Sequence, residues 1–320
     1  MSRLAQISNI ESPSGMGNEA LALILQNSPL LAMLENANAF ELDTDAFDYY
    51  TPDDALTLQS RAKGEAYDAE FKQMGSRQSN SQKYNGFKFV IDASDIADMK
   101  LGKTAEYWKK DLQRMIKTFA AAYDINTFQG SGVDSAFKGL ANILNGTTNM
   151  PGYNLTGVID AAYGISGSPN SLDLTNSSNW AYFLEKIDSW LAEVNNPTAL
   201  IMNQSMRSRL LTIAHNQRNI TTTLDMFNQP IVNYNGIPIY VMKDETITKT
   251  EADNAAAAVT TSIYAAAPGE MNFSFVSNSG LEWKEPDAEP QEGSIYKGEI
   301  RGAWKIEDKY AVRRIRNLKI

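Results

Sequence analysis

The chain has 320 residues, no cysteine, one histidine and a formal net charge of -9. The missing thiols exclude a disulfide framework, a zinc ribbon, an iron–sulfur cluster and a cysteine nucleophile, and a single imidazole cannot build a multi-histidine metal cage. With 43% hydrophobic and 21% charged residues the composition is globular and ample for a buried core, while the acidic balance argues against a protein that coats nucleic acid by neutralising phosphates.

Residues 1–18 are rich in Ser, Asn and Gly and read as a mobile arm, with Arg3 as the only base before a polar run, so no export signal is expected. The longest apolar run, Ala20 to Leu25, is far short of a membrane span, and the setting expected is cytoplasmic. Without a secretory route, the glycosylation-like triplets starting at Asn145 and Asn154 are chance matches. Asn18 to Asn27 predicts a short apolar helix. Ser28-Pro29 then supplies an N-cap and a first-turn proline for a second helix ending near Asn36. Both are too short to stand alone, so the arm is expected to lie on something else, a neighbouring subunit included.

From Thr51 to Asn85 there is almost nothing to bury, the mark of a long functional or disordered excursion. Phe87, Phe89 and Ile91 alternate with Lys88, Val90 and Asp92 and predict a strand. The clearest helix is predicted from about Thr104 to Asp124, with Trp108, Leu112, Met115, Ile116, Phe119 and Tyr123 on one stripe and Lys109, Lys110, Arg114 and Lys117 off it. Gly130-Ser-Gly132 turns the chain. A second amphipathic helix spans about 179–194, and a buried strand, Ala199–Met202, precedes Asn203, which is placed to cap a helix running to about Asn216. Gly236–Met242 reads as a strand. Beyond Val259 strands are predicted at Ser262–Ala266, Met271–Val276, Leu281–Lys284, Tyr296–Trp304 and Ala311–Ile315. Helix-rich blocks followed by a strand-rich end give an α+β pattern.

The charge is polarised: residues 1–60 carry a net -8 and residues 294–320 a net +5. Opposite-signed ends invite contact, within one chain or between copies. Catalytic motifs are poor. Ala97–Thr104, with Lys103, fits a relaxed phosphate-loop pattern between a strand and a helix, but only Gly102 eases the backbone toward phosphate and Asp98 would repel it. The acid runs Asp43, Asp45, Asp48 and Glu285, Asp287, Glu289, Glu292 lack the glycine and terminal glutamate of a calcium loop. No Gly-x-Ser-x-Gly turn occurs, and His215, near a predicted helix end, takes no catalytic role.

Several segments, taken in order, resemble the major capsid proteins of tailed bacteriophages. Tyr107–Asp124, with Phe128-Gln-Gly-Ser-Gly132 and Phe137-Lys-Gly-Leu140, is similar to that family's spine helix and the turn after it. Trp180–Val194 followed by Thr198–Leu210 resembles the helix, strand and Asn-started helix of its A-domain. Asn235–Val241 resembles the Gly-x-Pro strand that follows, and Tyr296–Ile315 the paired strands that return to the P-domain. The resemblance implies an N-terminal arm (1–40), an E-loop region (41–93), a P-domain first part with the spine helix (94–165), an A-domain (166–258) and return strands completing both domains (259–320). It implies a non-enzymatic subunit without cofactor that self-assembles as pentamers and hexamers into an icosahedral head around double-stranded DNA, bound without sequence specificity. A separate scaffolding protein and a portal are its expected partners, no membrane is involved, and the expected location is the virion, assembled in the host cytoplasm. Intersubunit contacts are expected from Lys63, Arg77, Lys83, Lys110, Arg114, Lys117, Glu41, Asp43 and Asp45. Lys63, Lys72 and Lys83 are available to the lysine–asparagine crosslink of some relatives, but no partner asparagine can be placed. A nanocompartment shell of the same fold around a protein cargo is the alternative, and a nucleotide hydrolase centred on Lys103 a distant one.

Overall fold

The computed structural model describes residues 4, 6, 8–11, 16–51, 76–91, 105–133, 136–145, 158–161, 170–214, 220–224, 230–252, 259–284 and 294–320. Strand β1 (Asn9–Glu11) precedes helices α1 (Met16–Asn27) and α2 (Pro29–Asn36). Between the helices Ser28 is extended, and its hydroxyl oxygen accepts from the Leu31 N–H at 3.1 Å. Pro29 takes the first helical position, where no backbone donor is needed. The expectation that this arm needs a surface to lie on is met within the subunit itself. Leu21, Ile24, Leu30, Leu31 and Leu34 are buried in the subunit's own core, together with Leu112, Ile116 and Ala120 of the long helix α3 (Ala105–Gln129). That helix gives two short ones the packing surface that their length denies them.

Helix α3 continues past the end predicted at Asp124 because its buried stripe runs on through Thr127 and Phe128, the first of them a weak hydrophobic signal. The Thr127 hydroxyl donates to the Tyr123 carbonyl at 2.7 Å, so burying it leaves no donor unpaired. Gly130 ends the helix where another backbone crosses: a Cβ there would lie 2.1 Å from the Phe137 carbonyl oxygen. A short helix, α4 (Leu140–Ile143), follows.

The first sheet has six strands. Its axis is β16 (Ser294–Ile306), which pairs along one side with β5 (Lys83–Ile91) and along the other with β15 (Leu281–Lys284) and then β14 (Phe273–Ser277). Strand β1 adds in parallel to β15, and β2 (Phe40–Leu42) in parallel to β14. Two glycines of β16 admit aromatic rings against the strand: a Cβ on Gly302 would lie 2.0 Å from the Phe275 ring, and one on Gly298 2.5 Å from Phe87. Trp304, stacked on Phe273 at 4.7 Å and edge-on to Phe275 at 5.1 Å, anchors this core, and its indole N–H donates to the Thr127 carbonyl of α3.

The second sheet has nine strands. Its path runs β6 (Val158–Asp160), β17 (Val312–Lys319), β13 (Val259–Ala266), β8 (Ala199–Asn203), β11 (Ile237–Met242), β10 (Pro230–Tyr234) and β9 (Ile220–Leu224). The pairs β7 (Leu172–Asp173) with β17 and β12 (Glu251–Ala252) with β13 complete it. Strand β8 is buried throughout. Ala199 and Ile201 join the core shared with the arm and α3, while Leu200 and Met202 join a second core beneath α5 (Trp180–Ala192) and α6 (Gln204–Ala214). Asn203 caps α6 as expected, accepting from the Met206 N–H at 2.8 Å. Residues after 259 supply strands to both sheets.

The remaining sheet is a ribbon of β3 (Ala46–Thr51) and β4 (Ser76–Ser81). Phe47 and Tyr49 turn inward against Val276 and Ala303, alternating with exposed Asp48 and Tyr50 just before the polar run that starts at Thr51. Other differences have equally local causes. Met271, predicted to begin a strand, sits in a turn at φ 67°, so β14 starts at Phe273. The β9–β10 hairpin was not predicted, because exposed Thr221, Thr222 and Thr223 carry no hydrophobic alternation.

Candidate functional site

The sequence nominates surfaces rather than a catalytic centre, and the structure places them in separate regions. At the acidic corner after β2, Glu41 reaches Lys305 at 2.7 Å, and Lys305 also holds Glu307 at 2.9 Å. Burial opposes the charge on Lys305, but these carboxylates raise its pKa above the ordinary lysine value. Glu41 is thereby occupied within its own subunit. Asp43 is exposed, with Oδ1 accepting from the Thr44 N–H at 2.7 Å. Asp45 accepts from Asn278 Nδ2 at 2.5 Å and from the Tyr84 hydroxyl at 3.4 Å. Gln82 braces the corner: its side-chain amide donates to the carbonyls of Asp43 and Thr44 at 3.1 and 3.0 Å.

On the ribbon, exposed Arg77 pairs with Asp48 and holds its carboxyl below the usual range. Lys83 begins β5 and lines a cavity of about 200 Å³ with Lys138, Phe137 and Trp304. Lys110, Arg114 and Lys117 share the exposed side of α3, where Arg114 bonds Asp111 at 2.8 Å. Among the described residues no ion pair joins these helix cations to Glu41, Asp43 or Asp45. Lys63 and Lys72, the Lys103 loop, His215 and the acid run from Glu285 lie outside the described residues.

Three further features carry no sequence signature. A cavity of about 600 Å³ opens between the arm helices and strands β10 and β11, with Lys117 and Arg207 among its lining residues. Asp124 on α3 is buried and accepts from the Ser28 hydroxyl at 2.5 Å, so the cap of α2 is tied to the long helix. Burial raises the Asp124 pKa to about 7, against the opposing pull of Ser28 and Lys243. Arg314 of β17 is buried over the Tyr264 ring. It bonds Glu251 at 2.9 Å, the Ser262 hydroxyl at 2.9 Å and the Leu144 carbonyl at 2.7 Å, joining α4, β12 and β13. The Asp124 and Arg314 clusters are joints of the fold.

Among the described residues no group of three or more His, Asp or Glu side chains could hold a metal ion. Asp43, Asp45 and Asp48 address different partners and do not converge. Among the described residues no helix is long and apolar enough to cross a membrane.

No family model and no curated protein sequence matches the chain. Solved structures do. The capsid of cyanophage A-1(L) aligns with a TM-score of 0.58 at 13% identity, covering 91% of this chain and 93% of that one. The capsid of an empty GTA particle aligns at 0.57 and 13% identity over 90% of each chain. The SrpI encapsulin of Synechococcus elongatus PCC 7942 aligns at 0.54 and 10% identity, over 88% of this chain and 85% of that one. A likeness spanning nearly the whole of both chains gives this protein the α+β major capsid fold of tailed bacteriophages.

Proposed function

We propose that this chain is a structural, non-catalytic shell subunit that assembles with itself into pentamers and hexamers and closes an icosahedral head around double-stranded DNA. The observation that carries the reading is the fold likeness over 90% or more of both chains to phage and particle capsids. The physics of the subunit supports it. A ribbon of two strands is marginal alone and gains from a neighbouring surface, and many weak contacts closed into a shell become permanent through multivalency. A wall with a net charge of -9 also lets phosphates slide past rather than adhere. In this reading the subunit acts in the virion after assembly in the host cytoplasm, with a separate scaffolding protein and a portal as partners.

The likeness to the SrpI encapsulin favours a second reading, a shell around protein cargo. Shells purified from an expressing host, treated with nuclease and then opened, separate the two. Protected double-stranded DNA supports the head, whereas a co-purified protein with no protected DNA supports the compartment. Strong, salt-sensitive DNA binding by the isolated subunit counts against the non-adhesive wall.

A further inference from the structure

The groove of about 600 Å³ between the arm helices and β10–β11 is built for a particular kind of occupant. On the side of the arm helices its lining is apolar at Leu23, Pro29 and Ile231, and the cations Lys117 and Arg207 also line it. Lys117 is exposed and Arg207 half-buried, and neither forms an ion pair among the described residues. A hollow of this kind favours an apolar side chain carried beside a carboxylate.

The same chain presents such an element. Leu42, at the end of β2, is 63% exposed, unusual for a leucine fixed in a sheet. Its backbone is held because β2 pairs with β14, Leu42 opposite Ser277, and because Gln82 clamps the next carbonyls at 3.1 and 3.0 Å. Asp43 follows, exposed and without an ion pair among the described residues, whereas Glu41 is already held by Lys305. A rigid, exposed apolar tip beside an available carboxylate loses little freedom on docking. Neither Leu42 nor Asp43 is among the residues that line the groove. Tip and groove are thus different patches of one subunit, the arrangement of a head-to-tail contact that closes rings.

Building on the shell reading above, we propose that the Leu42–Asp43 tip of one copy seats in the arm groove of a neighbouring copy, Leu42 against Leu23 and Ile231 and Asp43 facing Lys117 and Arg207. The chain's lack of cysteine makes the test clean. Leu42→Cys and Ile231→Cys are placed in one chain, the purified assemblies are oxidised mildly, and products are read on a non-reducing gel beside each single variant. A ladder of covalent dimers and larger species, absent from the single variants, is expected. Closed shells that run as monomers on the gel overturn the contact while leaving the shell reading intact. The same result with the groove cysteine open to a maleimide assigns the groove to some other partner. Soluble monomers with neither shell nor ladder overturn both. As an independent arm, Asp43→Lys is expected to lose shells and Lys117→Asp added to it to restore them; loss without rescue contradicts the pairing.

Discussion

Asp124 is a carboxyl held where water cannot reach it, tied by the Ser28 hydroxyl to the start of the second arm helix. Burial raises its pKa to about 7, so between the ordinary carboxylate range and neutrality the folded chain keeps a proton that the unfolded chain has released. Its contribution to stability is therefore greatest at acid pH, falls as the pH rises toward 7, and is level above. Asp124→Asn is expected to remove that slope, so that urea midpoints measured at pH 5 and pH 8 differ less than in the parent; an unchanged difference contradicts the assignment. Arg314 poses the opposite case, a buried cation fully engaged by Glu251, Ser262 and the Leu144 carbonyl. Removing it strands Glu251, and Arg314→Ala is expected to cost about 3–5 kcal/mol in chemical denaturation. Neither residue announces itself in the sequence, because a lone Asp on a helix and an Arg in a basic tail read as solvent-facing groups until the fold closes over them.

The elements were legible in proportion to how much of their packing is local. The long helix, the Ser28-Pro29 start of α2, the Asn203 cap and the buried run of β8 all carry their reasons within a few residues. Strand β4, Ser76–Ser81, does not, since it is polar throughout and exists because β3 pairs with it. The arm is the instructive case. Its helices are too short to be stable alone, and the sequence does not say which surface supports them; α3 of the same chain supplies it. Leu31→Ala, a cavity in that internal joint, is expected to destabilise the isolated subunit by about 2–5 kcal/mol. A loss confined to assembly, with the subunit's melting unchanged, would contradict the internal joint. For the exposed side of α3 the expectation is reversed: Arg114→Glu should leave the subunit's folding intact while lowering shell yield, and an unchanged yield would remove that face from the contact.

At the scale of the whole molecule, the poverty in catalytic residue types and the uneven charge belong together. A subunit that binds copies of itself needs neither nucleophile nor metal cage, and its acidic beginning and basic end are partly reconciled inside one chain, as Glu41 with Lys305 shows. The α+β class and the order of arm, long helix and terminal strands were readable from sequence; the groove and the tip proposed to fill it were not, because each is completed by residues distant along the chain. The central claim is self-closure into a shell. Electron microscopy of the purified protein under assembly conditions tests it most directly: uniform closed particles with five- and six-fold vertices are the predicted result, and a chain that stays a monodisperse monomer under every condition would contradict it.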